Sequence, residues 1–113
     1  MSADAERFRV QAEFCKAMAH PVRLQILDRL SRGSAPVNEL AREIGVSQAN
    51  LSQHLAVLRA RGVVHARRQG NAVLYSLVDR RIVAACRMIR EILAEQVHRA
   101  HSLVAGSAPA IST

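Results

Sequence analysis

Aromatic side chains are scarce in this chain, which has no tryptophan, one tyrosine and two phenylalanines. Unpaired bases are recognised by stacking on aromatic platforms, so single-stranded nucleic acid is a poor match for it. Cysteine is as scarce. Cys15 and Cys86 lie far apart with no CxxC pair, which excludes a disulfide framework and a thiolate metal knuckle. No apolar run approaches the roughly 18 residues of a membrane span, and the leading MSADAERF lacks the basic, apolar and small-residue succession of a secretory signal. The cytoplasm is the expected compartment, and no membrane partner is expected. Catalytic constellations are also missing: no Ser/His/Asp or Cys/His arrangement has a plausible base, no glycine loop cradles phosphate, and no carboxylates pair in a cleft-forming segment. Neither an enzyme nor a cofactor is expected.

What the chain does have is positive charge. Its 113 residues, enough for one domain, carry 16 Lys+Arg against 9 Asp+Glu, a formal net charge of +7. Lys16 is the single lysine. The rest are arginines, whose planar fork grips phosphates and base edges, although arginine richness also follows genomic base composition. With stacking excluded, duplex DNA is the expected polyanion.

Glycines punctuate the chain at helix-length intervals. The stretch from Asp4 to Ala19 is helical in pattern, with Phe8, Ala12 and Cys15 aligned. From His20-Pro21, Leu24, Leu27 and Leu30 recur at helical spacing until Gly33. Val37 to Ile44 forms a short helix ended by Gly45, and Gln48 to Arg61 forms another, with Leu51, Leu55 and Leu58 on one side and Gly62 after it. These two helices, joined by Gly45-Val46-Ser47, read as a helix-turn-helix. The period then changes to two: 63–68 and 73–77 flank the turn-forming Gln69-Gly70-Asn71, a β-hairpin. Asp79 can cap a last helix bearing Ile82, Cys86, Ile89, Leu93 and Val97, running to about Leu103. The expected fold is mainly α with a small hairpin, in the order α-α-α-α-β-β-α. It is a winged helix-turn-helix domain over residues 1–105 with a flexible tail over 106–113. A last helix of about 25 residues would be about 37 Å long, against a radius of gyration near 13 Å for a globule of about 100 residues. Its stripe outruns the domain, so a second subunit is expected to cover it.

The leucine stripe of the helix-turn-helix fixes what faces outward. Ala49, Ser52, Gln53 and Ala56 lie opposite it, with Gln48 and Asn50 flanking them at the amino-terminal end, where a recognition helix meets base edges. Gln and Asn bond bidentately to adenine, Ser donates or accepts, and the methyl of Ala49 suits a thymine methyl. Ser47 is placed as an N-cap beside first-turn amides that favour phosphate. The same residues would also suit any exposed helix surface. From Ser47 to Val78 there are four arginines and no Asp or Glu, whereas the part before Ser47 carries six of the nine acids. Arg67 and Arg68, beside Gln69, Gly70 and Asn71 at the hairpin tip, would reach a backbone or minor groove. The alternative is a solvated edge strand kept soluble by charge. Arg59 and Arg61 suit the C-terminal helix dipole as well as DNA.

These residues carry a resemblance. The run 16–27 (KAMAHPVRLQIL), then Glu39-Leu40-Ala41, then 47–59 (SQANLSQHLAVLR), then Gly62-Val63-Val64 and 70–77 (GNAVLYSL) resemble the ArsR/SmtB family of bacterial winged-helix repressors, over about residues 10 to 95. The resemblance implies a homodimer joined through the first and last helices. It further implies binding to a palindromic duplex operator that is released when an inducer arrives. It also implies where sensors sit. Where metal-sensing members have Cys-Val-Cys before the recognition helix, this chain has Pro36-Val37-Asn38. Where zinc-sensing members place an Asp, two His and a Glu or His, it has Asp79, Arg81, Ile92 and Glu95. Two carboxylates without imidazole, beside an arginine, make a poor transition-metal site, so no metal is expected.

Two readings of the cysteines stay open. Cys15 and Cys86 fall on the stripes of the helices this family uses to dimerise, so oxidant, reactive sulfur or a metalloid would move the reading heads by acting there. Equally, each cysteine would serve as a small hydrophobe. His98 and His101, at i and i+3, could hold a metal only with ligands from another chain, and a solvated pair is the simpler reading. Beside the inducible repressor stand a constitutive DNA-binding regulator and a winged-helix protein-interaction module whose basic face holds an acidic partner.

Overall fold

The computed structural model describes residues 2–106. The chain divides into two compact units, Met1–Arg80 and Arg81–Thr113.

The first unit opens with helix α1, Ala3–Met18, begun by Ser2, whose hydroxyl accepts the amide N–H of Ala5 at 3.1 Å. Only Ala17 of α1 is buried, and Phe8, one of two phenylalanines, is 70% exposed. Helix α2, Pro21–Leu30, has Pro21 in its first turn and His20 as N-cap, with His20 Nδ1 accepting the Val22 N–H at 3.1 Å. Spacing alone puts Leu24, Leu27 and Leu30 on the core stripe. In the fold Leu24 is half-buried, while Ile26 is completely buried beside Leu27 and Leu30. The reason is that α2 is packed on several sides at once, touching the next two helices and the sheet, so its buried arc is wider than one stripe.

A two-residue strand, β1 (Ala35–Pro36), precedes α3, Val37–Ile44. Gly45 ends α3 in the left-handed region at φ 88°, and its N–H donates to the Ala41 carbonyl at 2.8 Å. Ser47 then caps α4, Gln48–Ala60, whose Leu51, Leu55 and Leu58 are all buried, as the leucine spacing requires. Strands β2 (Val64–Gln69) and β3 (Ala72–Leu77) form the hairpin, running antiparallel from Val64↔Leu77 to Gln69↔Ala72. Their two-residue connection places Gly70 at φ 64°, a backbone conformation that glycine adopts without strain.

The sheet has three strands rather than the expected two, in the order β1-β3-β2 with Ala35 opposite Tyr75. A two-residue strand has no periodicity to announce it, and its signature is the burial of Ala35. The core of this unit gathers Ile26, Leu27, Leu30, Leu40, Leu51, Leu55, Leu58, Val63 and Val64, each large side chain worth roughly 1.5–3 kcal/mol on burial.

The second unit is helix α5, Arg81–Gly106, whose 26 residues extend past the expected end near Leu103. It opens two residues after Asp79. Val83 is buried, whereas Ile89, Leu93 and Val97 of the expected stripe are exposed, as are Met88, Ile92, Leu103 and Val104. The tail expected over 106–113 lies, past Gly106, outside the described residues. Among the described residues no helix is long and apolar enough to cross a membrane.

Candidate nucleic-acid interface

The helix-turn-helix comprises α3, the Gly45-Val46-Ser47 turn and α4. Left-handed Gly45 reverses the chain, and Val46, half-buried, donates its N–H to the same Ala41 carbonyl at 3.1 Å. The Ser47 hydroxyl accepts the Asn50 N–H at 3.0 Å, and the Ser47 carbonyl accepts the Leu51 N–H at 2.9 Å. This is the N-cap expected from the sequence. It leaves the amides of Gln48 and Ala49 without intrahelical acceptors, as at any helix start.

With Leu51, Leu55 and Leu58 inward, α4 turns Gln48, Ala49, Asn50, Ser52, Gln53 and Ala56 to the outside, and all are exposed together with Ser47. Ala49, Ser52, Gln53 and Ala56 fall at i, i+3, i+4 and i+7, one face of the helix. The small side chains there keep the helix surface low, so a groove floor can approach closely.

In the hairpin, Arg67, Arg68, Gln69 and Asn71 are also exposed. Arg67 lies opposite Leu74 and Arg68 opposite Val73, and successive strand residues point to opposite faces. The two arginines therefore do not form one patch, although their adjacency in sequence suggests it.

Ion pairing sharpens the charge asymmetry. Each of the six carboxylates before Ser47 faces an arginine: Asp4 with Arg7, Glu6 with Arg9, Glu13 with Arg61, Asp28 with Arg32, and both Glu39 and Glu43 with Arg29. Arg29 is the pivot. It runs from α2 to Glu39 at 2.6 Å and to Glu43 of α3, and its pKa is raised, chiefly by the hydrogen bond to Glu43. The Glu6 carboxyl is held below its ordinary value by Arg9. Acidic charge before α4 is thus neutralised locally, while the segment from Ser47 to Val78 has none. Arg61 belongs with these structural pairs, since it bonds Glu13 of α1 at 3.1 Å.

Sequence reasoning missed one part of the site, the cluster beneath α4. His54 is half-buried. Its Nδ1 accepts the Nε–H of Arg23 at 3.2 Å, and its ring lies 4.3 Å from that of His20, centroid to centroid. Arg23 also donates from Nη1 to the Ala17 carbonyl at 2.9 Å. Burial, then the neighbouring His20 and Arg23, push the His54 pKa below its ordinary value. The helical phase of His54, between Leu51 and Leu55, hints at a core-edge position, but no local pattern links it to Arg23, 31 residues earlier.

The sensor candidates lie on two helices. Cys15 is exposed on α1 and Cys86 half-buried on α5, in different units. His98 and His101 are exposed. Among the described residues, no three His, Cys, Asp or Glu side chains converge as a metal ion would need.

A family model described as a helix-turn-helix domain matches residues 18–67. An uncharacterized HTH-type transcriptional regulator of Mycobacterium tuberculosis, Rv0081, is 43% identical over 88 residues, 77% of each chain. Its crystal structure matches with a TM-score of 0.73, covering 81% of this chain and 93% of that one at 41% identity. The solution structure of the homodimeric winged helix-turn-helix DNA-binding domain of Mb0332 from Mycobacterium bovis matches with a TM-score of 0.76 at 28% identity, covering 88% of this chain and 93% of that one. A biofilm growth-associated repressor of Xylella fastidiosa is 41% identical over 68 residues, 60% of each chain.

Proposed function

The chain belongs to the ArsR/SmtB family of winged helix-turn-helix transcriptional regulators, and on that premise we propose that it is a homodimeric repressor reading a palindromic duplex operator. The family is one of DNA-binding regulators, not of enzymes. The observation that carries the proposal is the outward face of α4: small, polar, exposed and free of acids, beside a hairpin whose exposed charges are all positive. In this reading Ser47, Gln48, Ala49, Asn50, Ser52 and Gln53 meet base edges and nearby phosphate in the major groove. Arg67, Arg68, Gln69 and Asn71 reach the flanking backbone or minor groove. A protein-docking surface would more often carry aromatic anchors, and this face has none.

The homodimer is supported by exposed Ile89, Leu93 and Val97 on α5 and Phe8 on α1, apolar area that a second subunit would remove from water. Release by an inducer acting on thiols is supported by two free cysteines, one on each of the helices proposed to join the subunits, where a change at either thiol would bear on the joint. Working on DNA, the protein would act in the cytoplasm.

Selection from a random duplex pool, followed by binding assays on the recovered sequence and sedimentation of the free protein, tests the proposal. A two-fold symmetric site bound by a dimer is expected. Weak binding without sequence preference would overturn it.

A further inference from the structure

We propose that His54 is a positioning residue for the reading helix: its neutral imidazole holds Arg23 and so fixes the pose of α4, and proton uptake by the ring weakens DNA binding. The proposal rests on the DNA-binding reading above and adds to it a residue and a response outside the DNA-contacting face.

The geometry dictates the protonation state. Arginine has donors and no acceptor, so the Nε–H of Arg23 at 3.2 Å requires a lone pair on His54 Nδ1. That places the ring hydrogen on Nε2 and makes the imidazole neutral. A proton on Nδ1 would set N–H against N–H and a cation against the guanidinium. Arg23 is not free to swing aside without loss, because its other arm holds the Ala17 carbonyl at 2.9 Å, near the end of α1. His20 offers no alternative acceptor either, since its Nδ1 is occupied by the Val22 N–H that it caps.

Among the described residues of the first unit, the groups that act on His54 include no carboxylate to soften the clash. From the start of α2, the groups facing His54 are His20 and Arg23. On α1, Glu13 is paired with Arg61. On α3, Glu39 and Glu43 are paired with Arg29, and exposed Arg42 adds only positive charge. On β2, His65 bonds Ser76 across the hairpin at 3.2 Å. The lowered pKa of His54 agrees with this, and places the response on the acid side of a histidine's usual value of about 6.5.

The consequence for DNA follows from position. His54 immediately follows Gln53 and sits one turn from Asn50, so an outward push on it tilts the face carrying Asn50, Ser52 and Gln53 as one rigid piece. Generic electrostatics predicts the opposite sign, because every added proton attracts phosphate. The sign of the pH response therefore separates positioning from plain charge.

The test measures affinity for the duplex recovered by selection at about pH 7.5 and about pH 5.5, for the wild type, His54→Gln, which keeps an acceptor but does not titrate, and His98→Gln as a control on α5. The expected result is a several-fold loss of wild-type and His98→Gln affinity on acidification, with a clearly smaller loss for His54→Gln. Tighter or unchanged wild-type binding at the lower pH, or an equal loss in His54→Gln, would overturn the proposal. A histidine and amide NMR titration of the DNA-free full chain is read alongside. Amides of 48–56 should move with the His54 ring in the wild type, and should follow it to a new midpoint in Arg23→Gln. If no duplex is recovered, the DNA reading fails by itself, while still amides through the ring titration would refute the positioning role whatever the chain binds.

Discussion

Arg61, at the C-cap of α4, donates a hydrogen bond to the carboxylate of Glu13 on α1 at 3.1 Å, closing a loop of 48 residues with one surface ion pair. Both side chains are about half exposed, so the pair adds little to the stability of the chain. Glu13→Gln is expected to cost no more than about 1 kcal/mol in urea unfolding, and less at high salt. A loss several times larger would show that α1 depends on this ion pair for its placement.

The reading face and the hairpin should fail in different ways. Gln53→Ala or Asn50→Ala is expected to relax preference at one base-pair position per half-site, at about 1–3 kcal/mol of discrimination. Arg67→Ala and Arg68→Ala should weaken all duplexes alike and lower the salt slope by about 0.9 for each phosphate left without its cation. Because the two arginines point to opposite faces of the hairpin, the two single substitutions should have unequal effects. Titrations of selected and scrambled duplexes at several salt concentrations read both outcomes.

Stability should depend on pH through His54. Its pKa is lowered in the folded chain by burial, then by His20 and Arg23, so between that value and about 6.5 the unfolded chain binds more protons. The contribution is therefore fully present above about pH 6.5 and is lost as the pH falls through the folded value. Thermal midpoints measured across this range should drop more steeply for the wild type than for His54→Gln. Parallel curves would mean that His54 carries no linkage.

For the cysteines, affinity for the selected duplex is compared under reducing, oxidising and persulfide-forming conditions, in the wild type and in Cys86→Ser. A thiol-responsive regulator loses affinity on treatment only when both cysteines are present. Equal affinities throughout would leave Cys15 and Cys86 as packing residues and the protein as a constitutive regulator with respect to thiol chemistry.

Much of this architecture was legible because local rules and the fold agree. Leu51, Leu55 and Leu58 mark the buried stripe of α4, Gly45 and Ser47 mark the turn, and Gly70 marks the hairpin connection. The outward face of α4 followed by subtraction. What escaped were relations between residues distant in sequence. Strand β1 exists because Ala35 finds Tyr75, and the His20, Arg23 and His54 cluster exists because α2 and α4 pack together. Ile26 was missed because periodicity counts one buried stripe, whereas α2 is enclosed on several sides.

The small sheet also limits how copies of this protein can aggregate. One margin is β1, only two residues long and ending in Pro36, which has no amide hydrogen to offer an incoming strand. The other margin, β2, presents Arg67 and Arg68, which would repel their counterparts in an approaching copy. Neither side is a template for cross-β growth, so a concentrated solution of folded chains is directed away from fibre-like stacking.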